Sequence, residues 1–169
     1  MIEVKQLNKD EIAIVNELAE DIWPHTFGEI LSKDQIEYML DWMYNLNTLE
    51  EQVQIGHLYY VIKENGVPKG FMGLEPNFPD ADILRIHKLY VLPGSQGSGL
   101  GRNLLNHAFD VAFDLDLHTL HLNVNRYNKS VDFYKHVGFK ITGEEDLDIG
   151  KGYLMEDYIM ELRLKSGKN

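Results

Sequence analysis

Gly97, Gly99 and Gly101 alternate with Ser98 and Leu100, directly after Gln96 and ahead of Arg102. Glycine has no Cβ and accepts positive φ, so a turn built from it lets several backbone N–H groups approach one anion closely. The residues before the turn, KLYVLP, read as an apolar strand stopped at Pro93-Gly94; those after it, LGRNLLNHAF, read as an amphipathic helix. The first N–H groups of a helix lack intrahelical acceptors and lie at the positive end of its dipole, so the segment is an anion cradle suited to a phosphate. Two common cradles do not fit. A P-loop ends in Gly-Lys-Ser/Thr, whereas Gly101 is followed by Arg102 and Asn103. A dinucleotide fingerprint needs a third glycine where Arg102 stands.

The elements that must position this turn are legible from periodicity. IEVKQL alternates as a first strand, and Asn8 with Glu11 forms a capping box ahead of a helix that buries Ile12, Val15, Leu18, Ala19 and Ile22 and closes at Trp23-Pro24. Ser32 with Gln35 is a second capping box, for a helix burying Ile36, Met39, Leu40 and Met43, and Thr48 with Glu51 opens a third. HLYYVIKE and VPKGFMGL flank Asn65-Gly66, the strongest short hairpin signal. Residues 83–92 form the strand that feeds the turn, and the helix after it buries Leu104, Leu105, Ala108, Phe109, Ala112 and Phe113. HTLHLNV is the next strand, Asn128 caps a helix ended by Gly138, and two last strands flank Gly150 and Gly152. This order gives an α/β fold, a mixed central sheet flanked by helices, in a single domain over residues 1–169, with a disordered tail at 165–169.

Composition limits the function further. The 169 residues include no cysteine, which excludes disulfides, thiolate metal sites and cysteine nucleophiles. Net charge is -11, which argues against nucleic acid as a partner. No apolar run spans a membrane and the N-terminus lacks signal-peptide architecture, so a cytoplasmic location is expected. Twelve acids against three lysines make residues 1–52 strongly negative, whereas residues 85–140 hold seven Lys and Arg against four Asp. A polyanion in the second region and a cation near the first are both favoured, although a solubilising acidic surface explains the first equally well.

Gln96, Gly99 and Gly101 resemble the pyrophosphate loop of the GCN5-related N-acetyltransferases, a Gln or Arg, two residues, Gly, one residue, then Gly or Ala. NKSVDFYKHVGF, residues 128–139, is similar to the part of that family in which a helix presents a tyrosine four residues before a Gly-Phe pair; Tyr134, Gly138 and Phe139 match. The resemblance implies an acetyl-coenzyme A dependent N-acetyltransferase with direct transfer, the cosubstrate lying where two central parallel strands splay apart; no spacing of His and carboxylates suggests a metal site. It places the pantetheine arm along Leu89, Tyr90 and Val91 and the pyrophosphate on Gln96, Gly97, Ser98, Gly99, Leu100, Gly101 and Arg102. Asn123 and Asn128 are implied as further coenzyme contacts, with Asn128 one residue closer to the tyrosine than in the usual pattern. Tyr134 is implied as the acid that protonates the departing thiolate. An amine attacks a thioester only as the free base, so a base is also needed; Glu75 and His87 are the candidates.

Residues 30–44 and the stretch DIGKGYLMEDYIMEL are similar to bacterial polyamine (spermidine/spermine) acetyltransferases within that family. The resemblance implies a polyamine or other small amine as acceptor, with Trp23, Tyr38, Trp42 and Tyr44 as candidate cation-binding faces. The alternatives are a protein N-terminal or lysine acetyltransferase and a non-catalytic coenzyme A-binding module. A homodimer is an option by analogy, the last strands offering edges that can pair.

Overall fold

A computed structural model describes residues 1–95 and 97–165 of the chain. Gln96 and residues 166–169 of the expected tail lie outside the described residues. Seven strands form one sheet: β1 (Ile2–Leu7), β2 (Leu58–Glu64), β3 (Val67–Pro76), β4 (Ile83–Val91), β5 (Thr119–Asn125), β6 (Lys140–Gly150) and β7 (Tyr153–Arg163). Their spatial order is β1-β2-β3-β4-β5-β7-β6. Every neighbouring pair is antiparallel except β4 and β5. Helices α1 (Ala13–Phe27), α2 (Lys33–Tyr44) and α3 (Leu46–Gln54) precede the main sheet, and α4 (Leu100–Asp114) and α5 (Ser130–Val137) flank β5 in sequence.

The sheet divides the core in two. On one face Leu84 and Ile86 of β4 and Leu120 and Leu122 of β5 pack with Leu104, Leu105 and Ala108 of α4. On the other, Tyr59, Val61 and Phe71 pack beneath Trp23, Phe27, Met39 and Tyr44 of α1 and α2. Strand alternation produces this division, since successive side chains on a strand point to opposite faces.

Local chemistry explains most boundaries and several departures from expectation. Asn65 and Gly66 both take positive φ, 51° and 81°, as the two-residue hairpin turn between β2 and β3 requires. The Asn8 capping box forms, but it heads a short 3-10 turn before α1 begins at Ala13. Pro24 does not end α1, which runs on to Phe27. Burial of Trp23 and Phe27, one turn apart with ring centroids 4.5 Å from each other, holds that last turn in place despite the lost N–H. Half of the second capping box is absent. Ser32 Oγ accepts from Gln35 N, while the Gln35 side chain donates instead to Leu154 O at 2.9 Å and so joins α2 to β7. Thr48 does not cap α3; Asn45 does, accepting from Thr48 N at 2.8 Å while its amide donates to Asp41 O at the end of α2. Phe113, expected in the core, is 49% exposed.

Two irregularities in β4 set up the site. Gly73 pairs with Lys88 and Leu74 with Ile86, so His87 is an extra, bulged residue. A bulge of this kind puts two successive side chains on one face, here His87 and Lys88. In addition, β4 pairs with β5 only from Ile83↔Thr119 to Ile86↔Leu122, after which the two strands part. The rest of β4 is held from the other side by β3, closely enough that a Cβ on Gly70 would lie 2.5 Å from Tyr90 O. Gly70→Ala must push the two strands apart, and we expect it to destabilise the fold by about 1–3 kcal/mol, a loss of roughly 2–12 °C in Tm. Thermal unfolding followed by circular dichroism checks this, and an unchanged Tm would mean that the approach of β3 to β4 carries no constraint.

Candidate active site

The parting of β4 from β5 opens a cleft of about 790 Å³. Leu89, Tyr90 and Val91 form one wall, Tyr134 and Asn128 the other, and Gly97, Gly99, Gly101 and Arg102 one end. Gly97 and Gly99 both have φ of +84°, and among the described residues no side chain caps the start of α4, so its first N–H groups have no side-chain acceptor there. Among the described residues, and apart from its chain neighbours, no atom lies within 4 Å of where a Cβ on Gly97 would stand. Lys129 also lines the cleft, a cation that the sequence did not single out. Two expected contacts differ. The side chain of Leu100 is 1% exposed and belongs to the core with α4, leaving only its backbone to the turn, and the Ser98 hydroxyl bonds back to Ser95 O.

A second cavity, of about 390 Å³, lies on the α1–α3 face and shares Leu89, Tyr90, Asn128, Ser130 and Tyr134 with the first. Tyr134 thus stands where the two meet. It is buried, its ring packs edge-on against Phe139 with centroids 5.4 Å apart, and burial pushes its pKa well above the ordinary value. Its hydroxyl has no protein partner among the described residues. Asn123 lies in this second cavity, not in the cleft expected for it, donating to Glu145 Oε1 at 2.6 Å and to Asp157 Oδ2 at 3.4 Å. Its alternation on β5 explains the difference, because Leu122 and Val124 take the α4 face.

Glu75 and His87, candidates chosen independently from the sequence, touch: His87 Nε2 is 2.8 Å from Glu75 Oε1. His57, which the sequence reading missed, joins them with its Nε2 3.3 Å from the same oxygen and its ring stacked on His87 at 5.0 Å. No spacing rule finds a contact among residues from two strands and a loop. Burial, with Arg85 and Lys88 next, pulls His87 down to about 2, and burial and Lys88 pull His57 to about 4; both rings are neutral near pH 7. Burial raises Glu75, with Arg85 opposing. His87 lines the second cavity, and Glu75 stands behind it.

The aromatics expected to bind a cation are mostly engaged already. Trp23 and Tyr44 are core residues joined by a 3.2 Å hydrogen bond, Tyr38 donates to Ile149 O at 2.6 Å, and only Trp42 is substantially exposed, at 49%. The acids of residues 1–52 do not line the second cavity, where Gln35, Thr48 and Gln52 are the polar uncharged residues of α2 and α3; among the described residues its one lining carboxylate is Asp157.

Known proteins resemble this chain in both sequence and fold. It is 39% identical over 98 residues to the peptidyl-lysine N-acetyltransferase YjaB of Escherichia coli (strain K12), a match covering 57% of this chain and 58% of that protein, so the chain spans less than two thirds of the relative's length. The PaiA N-acetyltransferase from Thermoplasma acidophilum, solved in complex with coenzyme A, superposes with a TM-score of 0.79 at 25% identity, covering 96% of this chain and 99% of that one. The fold of YncA, a putative acetyltransferase from Salmonella typhimurium solved with acetyl-CoA, matches at a TM-score of 0.69 and 22% identity over 100% of this chain and 97% of that one. With a glycine turn at the mouth of a parted sheet, and a match of residues 14–139 to the family's sequence pattern, the chain belongs to the acetyltransferase (GNAT) family.

Proposed function

We propose that the protein transfers an acetyl group from acetyl-coenzyme A directly to a primary amine. The observation that carries this reading is the cleft between β4 and β5, which runs from an anion-binding glycine turn to a buried tyrosine and there joins a second cavity. Gly97, Gly99, Gly101, Arg102 and Lys129 would hold the pyrophosphate, and the free edge of β4 at Leu89–Val91 would pair with the pantetheine amides as an added strand does. The second cavity takes the amine. Its size suits a small molecule, and its lining gives a polyamine little counter-charge, since only Asp157 supplies a carboxylate. The likeness to YjaB supports a lysine side chain of a protein as the second reading.

Each residue then has a definite task. Tyr134 keeps its proton at neutral pH because burial opposes the phenolate, and it gives that proton to the departing sulfur as the C–S bond breaks. Burial disfavours the thiolate for the same reason, so the values of both groups move in the same direction. The attacking amine must lose one proton to become the free base. His87 accepts it at Nδ1 while releasing its Nε2 proton to Glu75, which lies 2.8 Å away. A relay of this form never makes a free imidazolium, which the low pKa of His87 would oppose.

Two measurements test these roles. Tyr134→Phe should keep its affinity for acetyl-coenzyme A in a calorimetric titration and lose about 10²-fold in kcat; unchanged turnover would remove Tyr134 from the mechanism. Glu75→Gln and His87→Gln should each lower kcat by about 10²-fold, and the double variant should fall no further than the worse single one. Losses that multiplied would mean that the two act separately. In the pH profile, Glu75 works as the anion and its pKa is raised above 4.5. Activity should therefore fall on an acid limb as pH drops through that raised value, and Glu75→Gln should lack the limb.

A further inference from the structure

Lys88 is 5% exposed and lines the second cavity, yet every group near its Nζ is neutral. It donates to Tyr59 Oη at 2.7 Å and to Gln52 Oε1 at 3.4 Å, and it lies over the rings of Tyr44 and Tyr59 at 5.2 and 5.3 Å. No carboxylate stands within 4 Å of it among the described residues. An ammonium so placed is costly, because burial disfavours its charged form, and its pKa falls to about 7 for that reason.

The surroundings of this lysine supply hydrogen-bond donors in excess. Gln52 spends its Oε1 on Tyr59, at 2.5 Å, and on Lys88. Its Nε2 and the hydroxyl of Thr48, two residues that line the cavity, have no protein acceptor among the described residues. Arg85 lines the same cavity with a buried Nε that also lacks a partner. At the β5–β7 side of the cavity stands Asp157, 3% exposed and bonded to Asn123. The α2–α3 end of the cavity is thus rich in donors around Lys88, whereas Asp157, where β5 meets β7, has Arg85 as a counter-charge.

We propose that the acceptor is a small amino acid, bearing a carboxylate as well as its primary amine, with the carboxylate seated on Lys88, Gln52 and Thr48. This rests on the acetyltransferase reading and narrows it. The carboxylate supplies the counter-ion and acceptors that this end of the cavity lacks, and a charge-assisted bond to a buried ammonium is among the stronger polar contacts. A diamine would set its second ammonium beside Lys88 and meet repulsion there.

The test compares matched pairs at pH 6.5 with the full chain and acetyl-coenzyme A, by thiol release. Each α- or ω-amino acid is paired with the amine left when its carboxylate is removed: leucine with isoamylamine, 4-aminobutyrate with propylamine, ornithine with putrescine. For at least one pair, kcat/KM should favour the amino acid by about 50-fold or more. Lys88→Met should reduce that preference to below about fivefold, mainly by raising KM, as expected for a lost binding contact. Binding supplies a second readout on the wild-type protein, useful if the variant does not fold. With lysine-specific isotope labelling and no acetyl-coenzyme A, the preferred amino acid should shift the Lys88 ionisation upward and the matched amine should not. Turnover of amines without any carboxylate preference, a preference that survives Lys88→Met, or an unmoved Lys88 ionisation would each overturn the proposal while leaving acetyl transfer standing. Failure to bind acetyl-coenzyme A would instead overturn the acetyltransferase reading on which it rests.

Discussion

A sheet that opens in its middle leaves main-chain groups without partners, and the rest of this structure is arranged around that opening. β4 and β5 stay paired for four residues, up to Ile86 and Leu122, and then separate. Unpaired backbone amides are costly when buried, so the gap persists only because each strand is held from its other side. β3 grips β4 as far as Val91 through a glycine that admits no Cβ, and β7 grips β5 as far as Asn125. The free edge that results is a template for an extended ligand. The one strong anion cradle in the sequence lies at the end of the same strand, so a molecule with an amide-bearing arm and a phosphate-bearing head can satisfy both at once.

The bulge at His87 is the second constraint, and it turns a structural strand into a chemical one. Without it Lys88 would share a face with Leu84 and Ile86, against α4. With it, His87 and Lys88 both face α1–α3, beside Arg85 and Tyr90. Four polar or aromatic side chains therefore gather on one side of β4 while Leu84, Ile86, Leu89 and Val91 keep the other side apolar. The roof over them is also tied down. Gln35 and Tyr38 of α2 bond to Leu154 O and Ile149 O, fixing the helix to the β6–β7 hairpin across the cavity. Gln35 was read as half of a capping box, and its use as a staple instead shows the difference between an N-terminal signal and the partner that wins it.

Elements with a local cause were legible in the sequence: the Asn65-Gly66 hairpin, the α4 stripe, the glycine turn and the helix ended by Gly138. The two candidate bases were legible as residue types and strand positions. Their contact was not, since it depends on the β3–β4 register, which sets Glu75 opposite Arg85 and so diagonal to His87, and His57 enters from the loop before β2. Boundaries failed where two local solutions competed. Asn45 and Thr48 can each cap α3, and Asn45 prevails because its amide also closes α2. Pro24 should stop α1, but the pairing of Trp23 with Phe27 outweighs one missing hydrogen bond.

The charge of a segment does not by itself say what lines a cavity, for a reason that bears on specificity. The excess of acids in residues 1–52 favours a cation nearby, yet those side chains do not line the second cavity. Exposed charges act through water, and beyond about 8 Å salt screens them at physiological strength. Lys88 stands in a far less polarisable setting, where the same unit charge interacts several times more strongly. If the acceptor carries a carboxylate, a single buried ammonium outweighs a surplus of surface carboxylates in deciding what enters. The net charge of a segment describes how the protein meets solvent and how encounters are steered, whereas the choice of acceptor follows from the few groups that water does not reach.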